Sequence, residues 1–287
     1  MNQKKIARVI NMENLEYLQE RKERYVNKPT IWLVHKFDPF FVRDVLRRLL
    51  EHAKGRIISS EVFNKVITEE LRNESKSLFN KKKSWFFKTH MLERVNRKKV
   101  YLTDLGLFLI HARREEFIKE LSFWGLAYTN PLFLIINYVI RRKLESNIYE
   151  ISPKDFFEIR DLTPNITGVW FEKNLFAFRE TLCYFGLVEK HDRGRKLRLN
   201  FYKPNSISFL AALYLYFKNY SLKRLPLKDF YYDWESPRNI FLVSKDLAQE
   251  MLTSFMRKNW VVIEGKDLKQ VGLLIDFQEL LDIIKSG

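Results

Sequence analysis

Residues 76–109 read KSLFNKKKSWFFKTHMLERVNRKKVYLTDLGLFL. At 100° per residue, a helix over 76–90 puts Phe79 and Phe86 on one side, with Leu78, Trp85 and Phe87 on its shoulders. Ser77, Lys81, Ser84 and Lys88 fall opposite, with Asn80 at the edge. One face is therefore aromatic, and the other carries cations and small hydrogen-bonding groups. Leu92-Glu93-Arg94-Val95 and Val100-Tyr101-Leu102 follow as two short strands around the basic tip Asn96-Arg97-Lys98-Lys99. Thr103 before Asp104 is an N-cap that opens the next helix, because a threonine oxygen satisfies one of its unpaired amides.

Upstream, Asp38-Pro39 pairs an N-cap with a proline at the first helical position. Phe40, Phe41, Val45, Leu49 and Leu50 then recur at helical spacing, and Gly55 ends that helix. Ile57-Ile58 can form a strand, and Ser60 is read as the cap of a second helix reaching about Arg72. Downstream, the helix begun at Asp104 is expected to run past Gly106 toward Trp124 as a connector. Residues 1–37 form a basic arm with an amphipathic helix over 12–26, the kind of arm that can reach into a minor groove.

The same order of elements is expected twice more. In residues 130–205, Asn130-Pro131 caps a helix over 132–146, Ser152-Pro153 opens a short helix, and 168–185 makes a third. A hairpin follows at 187–199, with Arg193, Arg195, Lys196 and Arg198 on its tip and return strand. The outward face of its helix offers Lys173, Ala177, Glu180, Thr181 and Tyr184, a mixed set. In residues 206–287, the helix over 206–220 is apolar nearly all round, which argues deep burial or an interface. Ser244 caps a helix to Lys258, a hairpin turns at Gly265-Lys266, and Asp276 with Glu279 reads as a capping box. The outward face Asp246, Glu250, Ser254 and Arg257 would repel phosphate, so this last unit is expected to contact protein.

Composition agrees. The 287 residues are 46% hydrophobic, enough for a substantial core, and carry a net charge of +16, which suggests a polyanionic partner. Residues 1–112 hold 24 Lys and Arg against 13 Asp and Glu, whereas 206–287 hold 11 against 10, so the anion-binding surface belongs to the first half. The single cysteine, Cys183, excludes a disulfide framework and a cysteine zinc site, and fits a cytoplasmic setting. No signal peptide is read at the N-terminus, and the apolar runs 132–136 and 209–217 are too short to span a bilayer.

At Val100-Tyr101-Leu102-Thr103-Asp104-Leu105-Gly106 the chain resembles winged-helix DNA-binding proteins, where a wing strand ends in Leu-Thr and a glycine sits early in the next helix. Leu187–Leu199 resembles the same hairpin without that ending. The serial arrangement is similar to the DNA-recognition half of FokI-like type IIS restriction endonucleases. Their nuclease domain has no evident counterpart here. The resemblance implies a mainly α fold with short β-hairpins, of α+β class, built as two to three tandem winged-helix domains: 38–129 with the connector, 130–205, and a winged-helix-like 206–287. It implies a sequence-reading double-stranded DNA binder, as in a regulator, a replication initiator or the recognition subunit of a restriction or defence system. The DNA-facing set is Ser77, Asn80, Lys81, Lys82, Lys83, Ser84, Lys88, Arg94, Arg97, Lys98, Lys99, Lys173, Arg193, Arg195, Lys196 and Arg198. Phosphate contacts from both hairpins would lose on the order of 10³ in affinity between about 50 and 200 mM salt.

Two other readings stand beside this one. A winged-helix interaction scaffold would bind a protein partner or associate with itself through residues 206–287. A metal-dependent nuclease would need clustered carboxylates, and only Glu264-Gly265-Lys266 with Asp233 upstream tempts that assignment. The five histidines are scattered without ligand spacing, and no Gly-x-x-x-x-Gly-Lys-Ser loop or Gly-x-Ser-x-Gly elbow is present. No enzyme, cofactor, metal or membrane partner is read from these residues.

Overall fold

The computed structural model describes residues 37–53, 55–152, 155, 177–191, 193, 196–266 and 269–287. The expected basic arm, the short helix after Ser152, Lys173 and Arg195 lie outside the described residues. The fold is mainly helical with small three-stranded antiparallel sheets, the expected α+β class.

Helix α1 (Pro39–His52) starts as its sequence demands: Asp38 Oδ1 accepts from Phe40 N at 2.9 Å and Phe41 N at 3.1 Å. Strand β1 (Ile57–Ser59) follows, then α2 (Ser60–Glu70), whose cap is Ser59 rather than Ser60. Ser59 has the extended backbone a cap needs, and its Oγ accepts from Val62 N at 3.2 Å. Helix α3 (Lys76–Lys88) buries Trp85 and Phe86, and the hairpin β2 (Leu92–Asn96) and β3 (Lys99–Leu102) returns to Thr103. Thr103 accepts from Gly106 N at 3.1 Å and opens α4 (Asp104–His111). The sheet order is β1-β3-β2.

The connector is not one helix. Chain direction changes at Ala112–Arg114, both ends of which are extended, and α5 (Glu115–Tyr128) starts afresh. Arg47 Nε donates to Ile110 O at 2.9 Å, satisfying a carbonyl that a continuous helix would have used.

The order helix, strand, helix, hairpin recurs. Helix α6 (Pro131–Glu145) leads to β4 (Glu150–Ile151), a helix covers 177–184, and β5 (Val188–His191) pairs with β6 (Lys196–Leu199) in the order β4-β6-β5. Helix α7 (Ser206–Asn219) leads to β7 (Arg224–Pro226), α8 (Leu227–Tyr232), α9 (Pro237–Ile240) and α10 (Lys245–Arg257). Strands β8 (Val261–Glu264) and β9 (Gln270–Leu273) complete the sheet β7-β9-β8, and α11 (Phe277–Ser286) closes the chain. Strands β4 and β7 carry no pattern long enough to be read from sequence, and the four-residue α9 shows only its Ser236 cap and Pro237.

One backbone device marks the repeat. The helix before each hairpin ends at a left-handed residue: His90 (φ 58°), Gly186 (φ 74°) and Asn259 (φ 56°). The next amide reaches back to the helix each time: Met91 N to Phe86 O, Leu187 N to Leu182 O and Trp260 N to Phe255 O, at 3.1, 2.9 and 3.0 Å. This double-bonded C-terminus stops the helix and aims the chain into the first hairpin strand. It puts the three helices in one frame, residue for residue.

The three units share one continuous hydrophobic core. Helix α7 lies at its centre, with Phe209, Leu210, Leu213 and Phe217 buried against the rest of the chain. Its apolar circumference is consumed internally, so it offers no subunit seam. Polar clamps cross the unit boundaries. Asp104, 3% exposed at its side chain, receives Arg56 Nη1 at 2.5 Å and the Lys218 ammonium. Glu120 accepts from Tyr202 Oη at 2.8 Å and from Asn205 N at 3.1 Å, where α7 begins. The capping box before α11 is half made: Asp276 Oδ1 accepts from Glu279 N at 2.8 Å, but Glu279 Oε1 takes Trp260 Nε1 at 3.0 Å.

Candidate nucleic-acid interface

Three features set α3. Ser75 caps its N-terminus, accepting from Leu78 N at 3.4 Å. Trp85 packs edge-on to Phe37 and Phe41, and Phe63 does the same to Phe86 and Phe87, so the aromatic face is pinned to α1 and α2. Two glycines fix its far end. A Cβ on Gly106 would meet Met91 O at 2.5 Å, and one on Gly125 would meet Thr89 O at 2.5 Å. The backbone just after α3 therefore rests directly on α4 and α5.

The opposite face divides. Ser77, Asn80 and Lys81 are exposed. Lys82 Nζ turns away to Glu74 at 2.5 Å and lies over the Phe41 ring, while Lys83 Nζ donates to Asn64 Oδ1 at 2.8 Å. Ser84 Oγ donates to Lys81 O at 2.7 Å, so it closes on its own helix. Lys88 is half-buried, and burial lowers its pKa. Of seven expected contacts on α3, three keep free outward side chains among the described residues.

The first hairpin keeps its charge. Arg94 stacks over Phe87 at 4.9 Å, which ties the hairpin to the α3 face. Arg97, Lys98 and Lys99 are exposed, and their side chains have no ion-pair partner among the described residues. Their backbone is held: Ser60 N donates to Lys98 O at 2.8 Å, Ser60 Oγ to Arg97 O at 3.1 Å, and Lys98 N to Asn96 Oδ1 at 2.8 Å. The tip is thus a braced, unneutralised cationic turn. His90 Nε2 lies 3.1 Å from Glu93 Oε1, and burial lowers its pKa against that carboxylate.

In the second hairpin, acids from neighbouring elements meet part of the charge. Lys190 Nζ meets Glu180 at 2.7 Å, and Lys196 Nζ and His191 Nδ1 meet the two oxygens of Glu150 at 3.1 and 3.0 Å. The Lys196 hydrogen bond first, then the surrounding positive charge, lowers the Glu150 pKa. Arg198 stands in register between Glu150 and Glu189. Arg193 is exposed. The sequence shows the hairpin's cations but not the acids beside them, because Glu150 arrives through the β4–β6 pairing. Ala177 and Thr181, expected outward, are buried, since Thr181 Oγ1 bonds back to Ala177 O at 2.8 Å against the core.

The third unit inverts the sign. In the shared frame, Asp246, Gln249, Glu250, Thr253 and Arg257 stand where α3 has Ser77, Asn80, Lys81, Ser84 and Lys88, and all five are exposed. A cleft of about 550 Å³ between α5, residues 202–206 and α10 adds Glu116 and Glu120 to that face. Burial raises the Glu120 pKa despite its hydrogen bonds.

The residues weighed for cleavage have other partners. Glu264 pairs with Arg224 at 2.6 Å across the sheet, and buried Asp233 accepts from Tyr216 Oη at 2.6 Å. Among the described residues there is no group of three or more His, Cys, Asp or Glu that could hold a metal ion, and no helix long and apolar enough to cross a membrane. Cys183 is half-buried, and burial raises its thiol pKa.

No protein-family model and no curated protein matches the chain. Two solved structures are similar in fold. A magnesium ion-bound SspB crystal structure aligns at TM-score 0.55 and 10% identity, over 86% of this chain and 84% of that chain. A second SspB crystal structure aligns at TM-score 0.54 and 9% identity over the same shares. At such identities the likeness is one of fold.

Proposed function

We propose that this chain is a tandem winged-helix protein that binds double-stranded DNA through its first unit. The observation that carries this reading is the set of exposed, unneutralised cations Lys81, Arg97, Lys98 and Lys99, held on a capped, core-packed helix and on the braced hairpin that follows it. A helix of about 10–12 Å diameter fits a major groove about 12 Å wide, and a basic hairpin beside it grips phosphate. The second hairpin supports this only weakly, since Glu150 and Glu180 already occupy its lysines. Such a binder suits a cytoplasmic regulator, a replication initiator or the recognition subunit of a restriction or defence system. The test is a mobility shift of the intact chain on duplex DNA. A shift at roughly 50 mM salt that is lost near 200 mM is expected; free duplex at both would contradict it.

The acidic face of α10 favours a second role beside the first. Asp246 and Glu250 repel phosphate, so the third unit is the protein-facing end of the molecule, suited to a basic segment of a partner. Cross-linking through Gln249→Cys in the presence of duplex tests this: a protein adduct is expected, and a DNA adduct would refute it.

A further inference from the structure

We propose that Asn80 reads an adenine edge in the major groove, an inference that rests on duplex binding by the first unit. A carboxamide presents a donor and an acceptor in one plane, which matches the N6 donor and N7 acceptor of adenine. Four asparagines lie in or beside the cationic helix and hairpin, and Asn73 falls in the turn before α3 rather than on it. Asn64 Oδ1 is taken by Lys83, and Asn96 Oδ1 by the Lys98 amide. Asn80 is exposed, and its side chain has no hydrogen-bond partner among the described residues.

Its neighbours narrow the assignment further. Ser77 lies on its face at a three-residue step, and Lys81 lies 100° further round, all in the first half of the helix. Ammonium groups only donate, so Lys81 can hold phosphate or a guanine edge but cannot distinguish adenine. Ser84 is closed on Lys81 O. Asn80 is the one carboxamide on α3, and the Ser77 hydroxyl donates and accepts through a single atom and so cannot span both adenine positions. The third unit has an amide in the same frame, Gln249, but Asp246 and Glu250 flank it and keep phosphate away.

The test is selection from random duplexes by the intact wild-type chain, by Asn80→Ala and by Asn80→Asp, with circular dichroism confirming that each is folded. Wild type is expected to recover a motif with an adenine at one position. Asn80→Ala should lose that preference alone, with affinity for the motif falling roughly 5- to 150-fold, the worth of one bidentate base contact. Asn80→Asp should turn the same position toward cytosine, whose N4 amine donates. An unchanged motif in both variants overturns the assignment, as does wild-type retention of duplexes without any motif, which leaves duplex binding standing. Retention of no duplex at all removes both the assignment and the binding it rests on.

Discussion

Lys81 of α3 and Glu250 of α10 occupy the same place in the repeat. Each lies nine residues before the left-handed residue that ends its helix, His90 and Asn259. The backbone frame is the same and the charge is opposite. Lys81→Glu is therefore expected to weaken duplex binding at least about 10-fold, while Glu250→Lys leaves it no weaker. Anisotropy titrations of both variants against one duplex check this. Equal losses would show that the two helices are not functionally distinct.

The free cations set the salt dependence. With Lys81, Arg97, Lys98 and Lys99 as phosphate contacts, log K should fall with log salt at a slope near roughly −3.6. That is a loss of about 10² between 50 and 200 mM, smaller than two intact basic hairpins would give. Lys98→Ala or Lys99→Ala should each shrink the slope by about 1. Lys196→Ala should shrink it less, because its charge is already met by Glu150.

Gly106 and Gly125 tie the end of α3 to the core. A methyl at either position would press on Met91 O or Thr89 O, both backbone atoms that cannot swing aside. Gly125→Ala is expected to cost roughly 1–3 kcal/mol of stability. It should also displace the end of α3, so duplex affinity falls even where the variant remains folded. Denaturant titration with a parallel binding curve measures both. Unchanged stability and binding would mean that the close approach is not needed.

Two buried arginines share one carboxylate at the boundary of the second and third units. Arg141 Nη1 and Arg238 Nη2 reach Glu145 Oε1 at 3.1 and 2.5 Å, and Arg141 Nε donates to Asn239 Oδ1 at 2.8 Å. Burial lowers the Arg141 pKa to about 10. For Glu145, burial acts upward, but Arg141 and Arg238 overcome it and hold the pKa below its ordinary 4.5. A depressed carboxylate adds stability above its unfolded pKa, and that stability is lost as pH falls through the folded value. Glu145→Ala should thus cost roughly 3 kcal/mol near neutral pH, and the gap to wild type should close below the ordinary glutamate range. Thermal melts across pH test this; a gap that widens in acid would contradict it.

The first unit was legible because each local signal agreed with the others. Asp38-Pro39, the aromatic stripe of Phe79 and Phe86, the basic turn and Thr103 all point to one order of elements. What stayed hidden depends on distant pairing. Strands β4 and β7 are too short to show alternation and exist only against the return strand of a later hairpin. With β4 comes Glu150, so the pairing of Lys196 and His191 was unreadable from the hairpin's own residues. The shared helix ends were hidden too, since His90 and Asn259 hold left-handed backbone without the glycine that marks Gly186. The rupture at Ala112–Arg114 has neither proline nor glycine to announce it. There α4 ends and α5 folds back against it, with Gly125 close to Leu105.

The most direct measurement is the dissociation constant of the intact chain for one duplex, compared between two triple variants. Lys81→Ala/Lys98→Ala/Lys99→Ala removes three free cations of the first unit, and Lys190→Ala/Lys196→Ala/Arg198→Ala removes three cations of the second, two of them ion-paired. The first set should weaken binding by roughly 10² or more at low salt, and the second by less than about 10-fold. Equal affinity of wild type and the first variant, or a greater loss in the second, would contradict recognition by the first unit.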